Sequence, residues 1–395
     1  MARCVPIRVC WIAVVVAGIG AVATGSGEAV MQVTTVRTTV GPTRFVSPGF
    51  GYSVAYRTVA HAITSDTEIG LFLYEDGRWR NVTPPTLGTD GIDDVAFTDR
   101  LHGWVAAYDC ATVAVHLYRT SDGGRSWQSL GAPASHSCGG GPTFLSFADN
   151  EHGWMEPVSP NAPEGQLLGT SDGGRTWKQL ASGPPGQVPP GTGQLPCLAP
   201  IRFVSPSFGW LARCENGRVF STADGGRRWR EATIRAPNGV DARFDVPWFA
   251  GRIGVAAATI GSRSAAANAG TRAVAFSTSR DGGKNWTLQA VRTIASCPLT
   301  PFFTSRWPAG VVGAHVGWIV TGRSKQLVQL TTDGGRRWRT VVAHGLPSRV
   351  CSVTSVSAAS ADVAWVVARG RGDNSGLFQT SDGGRTWRRI DLLRR

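Results

Sequence analysis

Lysine is almost missing from this chain of 395 residues: three (Lys178, Lys284, Lys325) stand against 37 arginines. Tyrosine is scarce too, at five, and methionine at three. Charged residues make up 17%, too few for a disordered polyelectrolyte, while 42% hydrophobic residues supply a large core. No apolar run reaches the roughly 20 residues that cross a bilayer comfortably. No phosphate-cradling glycine loop, no CxxC pair and no histidine pair at ligand spacing occurs. Nucleotide and metal chemistry therefore have no sequence signal, and no cofactor is expected. The net charge of +13 favours acidic partners; without a nucleic-acid motif, nucleic acid is not expected.

What is present begins with an export signal over residues 1–23. Arg3 and Arg8 form its basic start, Val9 to Ala23 its apolar run, and Ala21-Val22-Ala23 a small-residue cleavage site. An uncleaved anchor is the alternative. Cys4 and Cys10 fall inside this segment, and Arg8, two residues before Cys10, argues against a lipoprotein signal. Six cysteines remain: Cys110, Cys138, Cys197, Cys214, Cys297 and Cys351. An even number in an exported chain implies disulfides.

One motif then organises the mature chain. It reads TSDGGRSW at 120–127, TSDGGRTW at 170–177, TADGGRRW at 222–229, TSRDGGKNW at 278–286, TTDGGRRW at 331–338 and TSDGGRTW at 380–387, with a degenerate YEDGRW at 74–79. Its aspartates are Asp76, Asp122, Asp172, Asp224, Asp281, Asp333 and Asp382, spaced by 46, 50, 52, 57, 52 and 49 residues. Its tryptophans are Trp79, Trp127, Trp177, Trp229, Trp286, Trp338 and Trp387. Asp-Gly-Gly is hairpin chemistry: glycine supplies positive φ, and the aspartate accepts bonds from the turn's own N–H groups. A second hairpin signal precedes each copy, as in FVSPGFGY (45–52), FTDRLHGW (97–104), FADNEHGW (147–154) and FVSPSFGW (203–210). Each unit therefore holds four strands, A to D, with the motif at the C–D turn. A period near 50 residues is that of a propeller blade. The expected fold is all-β: a single seven-bladed β-propeller of four-stranded antiparallel blades over residues 43–395, with six or eight blades as alternatives. Residues 24–42 are expected as an N-terminal segment that can supply a closing strand against the last blade.

The motif resembles the Asp-box, or BNR, repeat, and the chain looks like propellers of the sialidase-like and photosystem II assembly-factor-like superfamily. That resemblance implies the fold across nearly the whole mature chain. It implies less about activity, because glycosidases, sorting receptors and assembly factors share the repeat. A sialidase would need an Arg-Ile-Pro motif ahead of the first repeat, and the mature chain has none. Tyr56 and Tyr108 are the only tyrosines not absorbed by the two hairpin motifs. Asp93, Asp94, Asp99, Asp149, Asp241, Asp245 and Asp362 lie near A strands as candidate acids. Asp99 and Asp149 sit at repeated turn positions and read as turn caps. No catalytic residue is assigned.

Long irregular loops gather at the B–C and D–A connections, for example 131–142, 181–200, 261–272 and 368–375, opposite the motif turns. Binding on a rigid frame concentrates in such loops. All six mature cysteines fall there, and joining nearby loop ends gives Cys110–Cys138, Cys197–Cys214 and Cys297–Cys351. Among the loop arginines, Arg213, Arg323, Arg369 and Arg371 are the candidate cationic patch. The functional expectation is an exported, non-enzymatic binding or assembly scaffold, secreted or attached to the cell envelope. It is expected to act as a monomer on a protein or acidic glycan partner. A glycoside hydrolase of the sialidase-like class is the alternative.

Overall fold

The computed structural model describes residues 35–393 apart from 61–64, 88–89, 137–142, 158–166, 181–200, 213–218, 233, 235–240, 245, 251, 262–272, 294–308, 314, 322–326, 348–351 and 370–374. The export-signal region lies outside the described residues. Seven antiparallel sheets follow one another along the chain, at 35–81, 91–135, 144–179, 201–232, 241–293, 309–342 and 352–390. Each is a meander of neighbouring strands, so every pairing is local in sequence. No helix occurs among the described residues. First strands of neighbouring blades touch in the pairs 1–2, 2–3, 3–4, 6–7 and 7–1, which places them around the axis. The protein is a seven-bladed propeller.

Two blades depart from four strands. In blade 2 the outer strand resumes as Ala134–Ser135, paired with Ala114 and Val115. In blade 5 the inner strand is broken into Asp241–Phe244 and Trp248–Ala250, both paired with Ile253–Gly261. Blade 1, despite its degenerate motif, has long strands, Thr35–Ser47, Phe50–Ala60 and Ser65–Glu75. The segment expected to close the ring thus starts blade 1's own sheet, Thr35 pairing with Ala60. Closure comes from bonds between strands, not pairing: the Val40 N–H donates to Ser375 Oγ and the Phe45 N–H to Ser357 Oγ, both at 2.8 Å.

Aromatic side chains weld the blades. Trp104 lies flat on Phe147 (3.7 Å, 5°), Trp154 on Phe203 (3.6 Å, 4°) and Trp365 on Phe45 (3.3 Å, 8°), each tryptophan from one blade and each phenylalanine from the next. The tryptophan after the Asp-Gly-Gly turn closes edge-on against the same ring, Trp177 at 6.2 Å and 85° and Trp229 at 6.0 Å and 77°. Such stacks add about 0.5–1.5 kcal/mol each beyond the area they bury.

All seven motif turns lie on one face. The first turn glycine donates its N–H to the A–B turn of the same blade: Gly123 to Leu101, Gly173 to Glu151, Gly225 to Ser207, Gly282 to Arg252, Gly334 to His315 and Gly383 to Asp362. In blade 1 the Asp76 N–H makes the equivalent bond to Gly49. The strand ends that lead into the B–C and D–A connections therefore share the opposite face.

Candidate functional site

The motif turn is built from the hydroxyl two residues before the aspartate. Thr120 Oγ1 donates to Asp122 Oδ1 (2.8 Å) and accepts the Gly124 N–H (2.8 Å). Asp122 also accepts the N–H of Ser126 at 2.9 Å and its hydroxyl at 2.6 Å. The Ser126 hydroxyl and N–H hold the Asp122 carboxyl down at about 2, and Thr386 does the same for Asp382, also at about 2. Thr170, Thr222, Ser279, Thr331 and Thr380 repeat the hydroxyl bond for Asp172, Asp224, Asp281, Asp333 and Asp382. In blade 5 the extra residue passes the role from the first threonine, Thr278, to Ser279. Gly123 and Gly124 have φ of 71° and 75°, so the turn requires them. Motif arginines fold back on the same turns, Arg125 onto Asp122 O at 2.7 Å and Arg175 onto Asp172 O at 2.7 Å, an intramolecular role the sequence did not reveal. The degenerate turn finds another partner: Arg100 of blade 2 clasps Asp76 at 2.6 and 2.9 Å. Trp127 donates its indole N–H to Val82 O; Trp177, Trp229, Trp286, Trp338 and Trp387 donate to the second glycine of their own turn. Trp79 packs edge-on to Phe45 at 5.8 Å.

On the opposite face, blade 2 brings together a cluster that no motif announced. Tyr108, at the end of the B strand, lies against Gly91, where a Cβ would stand 2.5 Å from its ring. Its other face stacks on His136 (4.7 Å, 13°). The His136 N–H donates to Val113 O (2.9 Å), and Val113 has a φ of 54°, a left-handed conformation costly for a β-branched residue. His136 Nε2 approaches Asp93 Oδ2 at 3.2 Å, both side chains almost fully buried, and the Thr143 N–H donates to the same oxygen at 3.0 Å. Asp90 accepts the N–H of Cys110, which is disulfide-bonded. Burial raises the Tyr108 phenol, and Asp93 and Asp90 add to the shift. That direction opposes a nucleophilic tyrosine, which needs its proton removed. Tyr56 bridges blades, donating to Ile92 O at 2.8 Å.

Deeper, on the first strand of blade 2, Asp94 is partly buried. Its Oδ1 accepts the Val95 N–H (2.8 Å) and its Oδ2 the Leu145 N–H of the next blade (2.9 Å). Burial pushes its carboxyl up to about 7 against the pull of those two N–H groups and of Arg44. Ser146 and Ser357 hold comparable blade-to-blade latches with neutral hydroxyls, to the N–H groups of Phe203 and Phe45. Tyr52 donates its hydroxyl to Val95 O, and burial raises its phenol while Arg44 draws it back.

Among the described candidates, the two turn aspartates stand apart from this cluster. Asp99 caps its own turn through the N–H groups of Leu101 and His102 (2.7 and 2.8 Å), and Asp149 does so through Glu151 and His152 (2.9 and 2.6 Å). Arg369 ends the strand Ala364–Arg369. Arg213, Arg323 and Arg371 lie outside the described residues, as do Cys138, Cys197, Cys214, Cys297, Cys351 and Asp245.

No protein-family model matches the chain, and no curated protein does. Solved structures do resemble it. YCF48 from Cyanidioschyzon merolae is 18% identical over 80% of this chain and 89% of that one, with a TM-score of 0.49. YCF48 bound to D1 peptide is 22% identical over 78% and 82%, with a TM-score of 0.46. An α-L-arabinanase of Penicillium chrysogenum complexed with arabinobiose is 14% identical over 78% and 96%, with a TM-score of 0.42. Neighbours thus include both a peptide-bound protein and glycoside hydrolases, and likeness at this level does not choose between them.

Proposed function

We propose that the chain is an exported binding or assembly scaffold without catalytic activity, whose loop face engages a protein or acidic glycan. One observation carries the reading. Four of the seven candidate acids have an oxygen engaged by backbone N–H groups: Asp93 by Thr143, Asp94 by Val95 and Leu145, and, on the motif face, Asp99 and Asp149 by their own turns. Carboxylates fixed this way hold loops and blades in place, and a rigid frame of that kind favours presenting loops to a partner. Within this proposal the cationic loop patch of Arg213, Arg323, Arg369 and Arg371 meets the acidic partner, and the three sequential disulfides brace those loops. The protein acts outside the cytoplasm, secreted or attached to the envelope, as a monomer.

Affinity capture from an envelope fraction tests it. Charge reversal of Arg323, Arg369 and Arg371 abolishes capture if the patch is the contact; unchanged capture refutes it. Peptide mapping without reduction tests the bracing, and a Cys138–Cys297 fragment would overturn the pairing.

A second reading, a glycoside hydrolase, is favoured by Asp94 alone, because a carboxyl pushed up to about 7 is the form a general acid takes. A panel of fluorogenic glycosides separates the two: turnover that Asp94→Asn removes would establish the hydrolase.

A further inference from the structure

Six of the seven outer strands are short. Arg78–Asn81, Gln128–Ser129, Lys178–Gln179, Arg230–Ala232, Arg339–Val342 and Arg388–Ile390 hold two to four residues, and five of the six open on lysine or arginine. Short length and a basic residue are standard defences against unwanted strand pairing. Blade 5 lacks the first, and its one basic residue, Arg292, stands near the far end of the strand. Its outer strand Thr287–Thr293 has seven residues, TLQAVRT, with no charge before Arg292. Leu288 and Val291 stand 38% and 41% exposed. Seven residues present about 23 Å of edge, interrupted by one bulge at Gln289, where Phe276 faces Ala290 and Ser277 faces Leu288; on either side of it alternate N–H and C=O groups are directed away from the sheet.

The surroundings of this edge are cationic. Arg280 and Lys284 are exposed on the blade's own turn. Arg336 and Arg337 are exposed on the blade 6 turn, whose Gly335 comes so close that a Cβ there would lie 3.5 Å from Gln289. The two carboxylates of these turns are engaged: Asp281 accepts the N–H groups of Lys284 and Asn285, and Asp333 accepts the Thr331 hydroxyl and the Arg337 N–H.

We propose that the outer edge of blade 5 takes an extended acidic segment of a partner protein as an added strand. Backbone groups would supply the pairing, Leu288 and Val291 the apolar contact, and the four cations the selection for glutamate or aspartate. A second copy of this chain fits less well, because edge-to-edge pairing would bring two such cationic turns together between molecules of net charge +13.

The probe is a dye-labelled eight-residue peptide of alternating valine and glutamate, followed by fluorescence anisotropy on the intact protein. Binding is expected, weakened about tenfold or more by Leu288→Ser/Val291→Ser and absent when lysine replaces glutamate in the peptide. Amide exchange of 287–293 should slow when the peptide is added. The milder Val291→Ser, with its thermal midpoint checked, serves if the double variant does not fold. No binding at about 1 mM peptide, equal affinity for the variants, or protection elsewhere on the molecule overturns the proposal. So does a dimer in sedimentation that the double variant dissociates. Charge reversal of the loop-face arginines should leave this binding intact, so either site can fail without the other.

Discussion

Where blade 3 meets blade 4, Trp154 lies flat on Phe203, Trp229 closes edge-on, and the Trp154 indole donates to Gly225 O at 2.9 Å. Where blade 5 meets blade 6, Val255 and Val311 hold the two stacking places. Trp338 remains, and Phe276 from the third strand of blade 5 meets it at 4.7 Å, tilted by 49°. Leu117, Leu167, Val219, Val328 and Leu377 occupy the position of Phe276 in the other full-motif blades. One enlarged side chain thus stands in for two lost rings, and a shallow cleft lined by Val255, Phe276, Val311 and His315 stays open. A joint tolerates the loss of its flat stack if volume returns from another strand, but the replacement makes no indole hydrogen bond. The same blade has the broken inner strand and the long, bulged outer edge. Blade 5 is the frame's least regular part.

Trp154→Ala should cost the most, about 3–5 kcal/mol, since it removes a buried ring and its N–H bond. Val255→Ala at the other joint should cost about 1 kcal/mol. Urea unfolding measures both, and equal losses would abolish the contrast. Next, Val255→Trp/Val311→Phe should destabilise by about 1–3 kcal/mol, because Phe276 already fills the space. Adding Phe276→Leu should recover that loss, a coupling that a double-mutant cycle reads directly. Smaller still is the polar part of the joint. Trp154→Phe should cost about 1 kcal/mol more than Trp210→Phe, since the Trp210 indole N–H has no partner among the described residues.

The blade 2–3 joint differs from the serine-latched joints in titrating. Asp94 is raised from 3.8 to about 7, so its contribution is full below about 3.8 and is lost as pH rises through about 7. Asp122 and Asp382 have the opposite sign: lowered from 3.8 to about 2, they stabilise above about 3.8 and cease to as pH falls through about 2. Thermal midpoints should therefore fall on both sides of a mildly acidic optimum. Asp94→Asn should flatten only the neutral-side slope; a slope left unchanged would show that Asp94 does not set it.

The blade count and the motif-face turns were legible because Asp-Gly-Gly, with its positive-φ glycines, recurs at a nearly constant interval, and local hairpins need no partner far along the chain. Asp99 and Asp149 could be read as turn caps for the same reason. The first strand's boundary was not legible: Thr35–Ser47 lacks a motif, and only its pairing with Phe50–Ala60 assigns it to blade 1. Nor was the Asp93–His136–Tyr108 cluster, whose members are 15 and 28 residues apart along the chain. His136 is carried there by the resumed outer strand of blade 2, a feature without sequence period.

By itself, the sequence determined the repeat, the turns and the residues that could weld one blade to the next, since each depends on contacts within about 50 residues. Only the tertiary structure decided how the ring closes, which carboxyl is buried, and that Phe276 replaces the missing stack. Those outcomes depend on which blades become neighbours and on how much volume lies between them, and close packing enforces both without leaving a local signature.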